Sequence, residues 1–206
     1  FGSMSNFSFY YAHHMTTIEG GMISTNSKDI YEICRMLRSH GLVRESLSKS
    51  LKKYYEKKYK DLNSQFIFSL PSYNVRSTEI NAVLGINQLK NLNKNIYNRN
   101  KNFNFFLKNL DKKKYYTNFD LKGQSNYAFI IIFNKGYRNK KFRSRFEKIL
   151  KQKNIEFRRG TSGGGNQMRQ PYVRNILKFK EKDFKKFPNV EIVHHYGYYI
   201  GNYPSL

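Results

Sequence analysis

One cysteine, Cys34, stands among the 206 residues. That scarcity excludes an internal disulfide framework, a four-cysteine zinc site and a cysteine-ligated iron–sulfur cluster within this stretch. The expected setting is reducing and cytoplasmic. Long apolar runs are lacking too. None approaches the ~18 residues that a membrane-spanning helix needs, and YAFIIIF at 127–133 has the length of a buried strand. A membrane partner is therefore not expected. The opening FGSMSNFSFYY has neither an initiator Met nor a basic segment ahead of an apolar core, so no signal peptide is read and the chain reads as a piece of a longer polypeptide. Acidic residues are also few: 14 Asp and Glu face 38 Lys and Arg, a formal net charge of +24.

Aromatic side chains are abundant, with 17 Phe and 17 Tyr, which is enough apolar surface for a packed core rather than a disordered polyelectrolyte. A basic surface makes nucleic acid the first partner to weigh, since binding displaces counterions from phosphates. The basic runs, however, are scattered over 49–60, 111–116, 134–153 and 178–186 and interleaved with helix-period apolar residues. No zinc-finger spacing, aromatic RNP motif or basic-zipper pattern accompanies them. The Lys excess travels with heavy use of Asn, Ile and Tyr, so the reading favours solvated surface charge over a nucleic-acid footprint.

Along the chain, FSFYY (7–11) and GMIST (21–25) read as short strands. Ile30, Ile33, Cys34 and Leu37 follow a helical period that Gly41 stops. Residues 45–62 read as a second, very basic helix or as a mobile surface insertion. A long helix begins near Thr78, its apolar positions running from Ile80 to Leu107. Beyond Asp111 the pattern is a small α+β unit: strand 127–133, helix 139–153, strand 155–159, a Gly-rich loop at 160–166, a short helix near 183–190 and a strand near 194–200. The lobe boundary is placed around residue 110.

The chemistry concentrates in FSFYYAHHMTTIEGGM, residues 7–22. It offers a hydroxyl at Ser8, adjacent imidazoles at His13 and His14, hydroxyls at Thr16 and Thr17, a carboxylate at Glu19 and a Gly20–Gly21 pair open to close backbone approach. If extended, the segment sends neighbouring histidines to opposite faces. Composition alone favours a turn with exposed histidines.

This segment resembles the lysine-bearing signature of the DegT-type sugar aminotransferases, pyridoxal-phosphate enzymes of the aspartate-aminotransferase fold. Aligning FSF and TTIEGGM without a gap places His13 on the family's cofactor-binding lysine. The resemblance continues through RSHG (38–41), LPSYNVRSTEINAVLGINQLK (70–90, with Ser72 where the family has Gly), IEFRRG (155–160) and GGNQMRQPYV (164–173). It implies an α/β fold class: the C-terminal part of a fold-type I pyridoxal-phosphate-dependent transferase. Residues 1–110, with a bridging helix at about 78–109, would be the end of the large cofactor-binding domain, and 111–206 the small C-terminal domain.

A chain without the lysine amine cannot follow the family's transamination route. Histidine at this place is similar to the family's sugar 3-dehydratases, among them those acting on GDP-4-keto-6-deoxy-D-mannose. The resemblance then implies pyridoxamine 5′-phosphate or pyridoxal 5′-phosphate as cofactor, a nucleotide-diphosphate 4-keto-6-deoxy sugar as substrate, and L-glutamate as amino donor. His13 would be the proton-transfer catalyst, a task suited to imidazole with its ordinary pKa of about 6.5. Ser8 would bind the cofactor phosphate. Asn74 and Arg76 would reach the phosphate in a neighbouring subunit, making a homodimer with shared active sites. His40, Glu156 and Arg158 would contact substrate, and no metal is implied. The lone cysteine sets aside the iron–sulfur branch. The residues by themselves leave other readings open: Asn74 as a cap of the long helix, Arg76 as surface charge, and Glu156–Arg158 as a pair across a strand. The other functions weighed are a sugar aminotransferase-like homologue with altered chemistry, a non-catalytic fragment, and a basic nucleic-acid-binding module.

Overall fold

The computed structural model describes residues 2–160 and 164–206. It divides into two compact units, Phe1–Leu92 and Asn93–Leu206.

In the first unit, β1 (Ser5–Ser8) and β2 (Gly21–Ser24) pair antiparallel, with Ser5 opposite Ser24 and Ser8 opposite Gly21. Strand β1 is displaced toward the N-terminus of the FSFYY segment, because residues beyond Ser8 bond into the intervening loop rather than along the ladder. Helix α1 (Lys28–Leu37) starts at Ser27, whose side chain accepts a hydrogen bond from the Ile30 amide, and carries Asp29 in its first turn. Its buried positions are Glu32 and Met36, whereas Ile33 is exposed. The apolar period therefore locates the helix but not its inward face. Glu32 is tolerated inside because its carboxylate accepts from Ser46 Oγ at 2.6 Å and from the Leu47 amide at 2.8 Å, bonds that hold it below the usual carboxylate range. Met36, Leu42, Val43 and Ile67 complete the buried apolar set of this unit. Helix α2 (Lys49–Lys58), the basic helix, buries none of its residues.

Helix α3 (Glu79–Asn109) runs for 31 residues and belongs to both units. In its first half Ile80, Val83, Ile86 and Leu89 are exposed. In its second half Phe103 is 1% exposed and joins Phe129, Ile131, Phe133 and Tyr198 in the core of the second unit. That core is built on a three-stranded antiparallel sheet of order β3 (Ala128–Ile132), β5 (Gly197–Gly201), β4 (Phe157–Arg159). The helices of this unit are α4 (Lys140–Gln152), α5 (Pro171–Leu177), α6 (Glu181–Phe184) and α7 (Pro188–Tyr196). Phe133 meets Phe142 and Phe146 edge-on at 5.0 and 5.1 Å, so aromatic packing supplies much of the adhesion. Where one short helix is expected near 183–190, two form, with Phe187 and Pro188 marking the break. Helix α5, opened by Pro171, is an addition to the sequence reading.

Candidate active site

The loop between β1 and β2 is ordered by its own backbone. Phe9 N donates to Gly20 O and Thr17 N to Phe9 O, both at 2.9 Å, while Tyr11 N reaches Ile18 O at 3.1 Å. Thr17 is buried, and its hydroxyl donates to Glu19 O at 2.7 Å. From α3, Asn81 Nδ2 donates to Thr17 O at 2.8 Å and Glu19 O at 3.2 Å, tying the loop to the helix. Gly20 has φ of 148°, and a Cβ there would stand 2.7 Å from Thr17 Oγ1. The TTIEGG text is thus a backbone-closing device, with glycine required where the loop rejoins β2.

Inside this loop His13 N donates to Tyr10 O at 3.0 Å, and the His13 ring lies edge-on to Tyr10 at 6.0 Å. The histidines sit in turns, not in extended chain, and both His13 and His14 are half-buried. The alternation that an extended segment would impose does not apply, because the chain reverses between Ser8 and Gly21. Ser8, at the end of β1, is exposed, its Oγ accepting from Tyr10 N at 3.3 Å.

The RSHG and SYNVR segments meet through an antiparallel bridge between Ser39 and Asn74. His40 N donates to Tyr73 O and Val75 N to Arg38 O, both at 2.9 Å. Gly41 has φ of 75°, and a Cβ on it would fall 1.9 Å from Leu70 O, so the close crossing of these segments depends on glycine. Ser72, where the family has Gly, donates its hydroxyl to Leu37 O at the end of α1. Asn74 Oδ1 accepts from Arg76 Nε at 3.1 Å and from Arg76 N at 3.4 Å. It does not cap α3, whose start is served by Thr78 and Asn81 through a 2.6 Å side-chain bond. Arg76, Arg38 and Arg35 line a groove of about 770 Å³ alongside Gly20, Gly21 and Phe7. The pairing thus brings His40, Asn74 and Arg76 into one neighbourhood, and the groove joins Arg76 to the end of the His13 loop.

Glu156 and Arg158 lie in the second unit at and beside β4, form an exposed 3.8 Å ion pair, and Arg158 stands 5.9 Å from the Tyr199 ring centre. In the Gly-rich loop expected at 160–166, residues 161–163 lie outside the described residues. The following GNQMRQP text is locked onto α7. Asn166, 2% exposed, donates from Nδ2 to Glu191 Oε1 at 2.8 Å, accepts at Oδ1 from Met168 N at 3.0 Å, and gives its own amide to His194 Nδ1 at 3.1 Å. Arg169 grips the same Glu191 carboxylate and lies 4.4 Å from the Phe184 ring centre. Arg169 is the chief cause that lowers the Glu191 pKa to about 2. Burial, reinforced by the positive side chains nearby, pushes the His194 pKa down. Sequence reasoning missed Glu191 and His194 because they lie more than twenty positions from the loop they hold, with no spacing signal to connect them. Among the described residues no group of three or more His, Cys, Asp or Glu side chains is placed to hold a metal ion, and no helix is long and apolar enough to cross a membrane.

A GDP-4-keto-6-deoxy-D-mannose 3-dehydratase of Escherichia coli O55:H7 is 34% identical over 212 residues, covering 98% of this chain and 51% of the relative. A second, from Yersinia pseudotuberculosis, is 29% identical, covering 98% of this chain and 50% of the relative. The solved structure of the E. coli GDP-4-keto-6-deoxy-D-mannose-3-dehydratase with bound hydrated PLP superposes with a TM-score of 0.71 at 29% identity, over 99% of this chain and 51% of that one. The chain spans about half the length of the relatives it matches. The fold class is α/β, that of the PLP-dependent aminotransferases. The sequence model of the DegT/DnrJ/EryC1/StrS aminotransferase family matches residues 1–204, and the chain belongs to that family.

Proposed function

We propose that the polypeptide carrying this chain dehydrates a nucleotide-linked 4-keto-6-deoxyhexose, GDP-4-keto-6-deoxy-D-mannose, at C3 and uses pyridoxamine 5′-phosphate regenerated by L-glutamate. The observation that carries the reading is His13 at the place of the family's lysine, in a loop whose ends are fixed by backbone bonds. The relatives named 3-dehydratase support it.

The residues fit such a cofactor chemically. An exposed hydroxyl (Ser8) of one subunit, with the amide (Asn74) and guanidinium (Arg76) of a neighbouring subunit, would form a donor set for a phosphate dianion, and the groove beside Gly20 and Gly21 carries two further arginines. When bound, that cofactor supplies an amine for the sugar's ketone and an electron sink. Asn74 orients Arg76 by accepting from its Nε, so the guanidinium is preset for the phosphate of a neighbouring subunit in a homodimer. The His13 imidazole accepts a proton and returns it to the departing C3 hydroxyl as water leaves. His40, Glu156 and Arg158 serve as substrate contacts. In domain terms, residues 1–110 close the large cofactor-binding domain and 111–206 form the small domain. The setting is cytoplasmic.

The test is conversion of the GDP-linked keto sugar with cofactor and L-glutamate, followed by mass spectrometry. Loss of water should depend on glutamate and should fall ~10²–10⁴-fold in His13→Asn, the range of a general acid–base group. An unchanged sugar nucleotide with wild-type protein overturns the reading.

A further inference from the structure

Arg99, on α3 in the second unit, is 8% exposed, and its Nε and Nη1 have no hydrogen-bond partner among the described residues. A guanidinium keeps its charge at any physiological pH, so burial leaves it with a desolvation cost and no counter-charge. Desolvation by burial works against its charge. The nearest polar bonds do not relieve it. Asn202 Nδ2 donates to the Arg99 carbonyl at 3.1 Å, a main-chain contact. Asn98 and Asn102 donate to Pro204 O and Tyr203 O at 3.1 and 2.8 Å, pinning the chain end along this turn of α3.

The carboxylates of this unit are engaged elsewhere. Residues 93–206 hold seven Asp and Glu against 26 Lys and Arg. Asp111 pairs with Lys114, Glu147 with Arg159, Glu156 with Arg158, Glu181 and Glu191 with Arg169, and Asp183 with Lys186. The seventh, Asp120, accepts from the Lys122 amide.

We infer that Arg99 is an oxyanion site, filled by a carboxylate that the Asp and Glu side chains of residues 93–206 do not supply. A water molecule would satisfy donors but not charge; a carboxylate does both, matching the forked donors of the guanidinium. Two sources share this chemistry: a side chain of the polypeptide that accompanies this chain, and a small free carboxylate. The inference stands apart from the cofactor reading and survives its failure.

Acetate and formate titrations of the 206-residue chain, with chloride at matched ionic strength, test it by two readouts. The Arg99 Nε–H resonance, assigned by its loss in Arg99→Met, should shift saturably with carboxylate and not with chloride, and Tm should rise in parallel. Arg99→Lys keeps a charge but not the fork, so its rise in Tm should be smaller. In the whole polypeptide carrying this chain, a resonance already shifted and indifferent to acetate assigns the carboxylate to protein, while one still moved by acetate assigns it to a small anion. A resonance that responds to carboxylate in neither preparation, at the same position in both, overturns the inference, and that result needs no variant to fold differently from the wild type.

Discussion

Arg169 and Glu191 meet as a two-point ion pair, with Nε donating to Oε1 at 3.0 Å and Nη2 to Oε2 at 2.5 Å, across 22 residues of sequence. Asn166 joins the same carboxylate, so one acidic side chain on α7 holds both ends of the Asn166–Arg169 turn.

The pair makes stability depend on pH. Glu191 falls from an ordinary 4.5 to about 2 in the folded protein, so its contribution is full above pH 4.5 and disappears as pH falls through about 2. The shift corresponds to about 3 kcal/mol. Glu191→Gln should lower stability at neutral pH and flatten the decline between those values. Urea unfolding across the acid range reads both effects, and a variant with the wild-type slope contradicts the assignment.

Gly41→Ala should be among the most damaging small substitutions. It forces a Cβ to 1.9 Å from Leu70 O at a φ of 75°, adding steric overlap to left-handed strain that by itself costs roughly 1–3 kcal/mol. Loss of soluble protein or a large drop in Tm is expected, whereas Gly136→Ala, with nothing within 4 Å, is the control that should behave as wild type.

Asn74→Ala removes the acceptor at 3.1 Å from Arg76 Nε. With Arg76 no longer preset, affinity for pyridoxal 5′-phosphate should weaken by about tenfold, the worth of one hydrogen bond to a charged group. Absorbance titration measures it. The exposed position of Asn74 means that Tm should hardly change, which separates a binding role from a structural one.

His13→Lys restores the amine typical of the family's signature. Dehydration should be lost, and amino-sugar product should appear from the same keto sugar and L-glutamate, seen by chromatography and mass. Continued water loss from the lysine variant would remove His13 from its assigned role.

Much of this was legible in the sequence. Helical periodicity located α1, α3 and α4, because repeated apolar positions 3.6 residues apart are a local property of the chain. The Ser8, His13, Asn74 and Arg76 assignments came from the resemblance to the family's motifs, and these remain proposals. Local pattern could not say which face of α1 turns inward, since Glu32 is buried only because Ser46 and Leu47, 14 and 15 residues later, satisfy its carboxylate. Nor could it show how the His13 turn is held, because closure of the loop depends on Thr17, Gly20 and the distant Asn81.

The sequence by itself pointed to the family, most of the helices and strands, and the histidine where a lysine is usual. Tertiary structure alone decided that Asn74 serves Arg76 rather than α3, that Glu191 locks the GNQMRQP turn, and that Arg99 is buried with Nε and Nη1 unpartnered among the described residues. Periodicity and motifs are written in short stretches of chain, but charge compensation and hydrogen-bond satisfaction are settled only when distant residues share one low-dielectric neighbourhood.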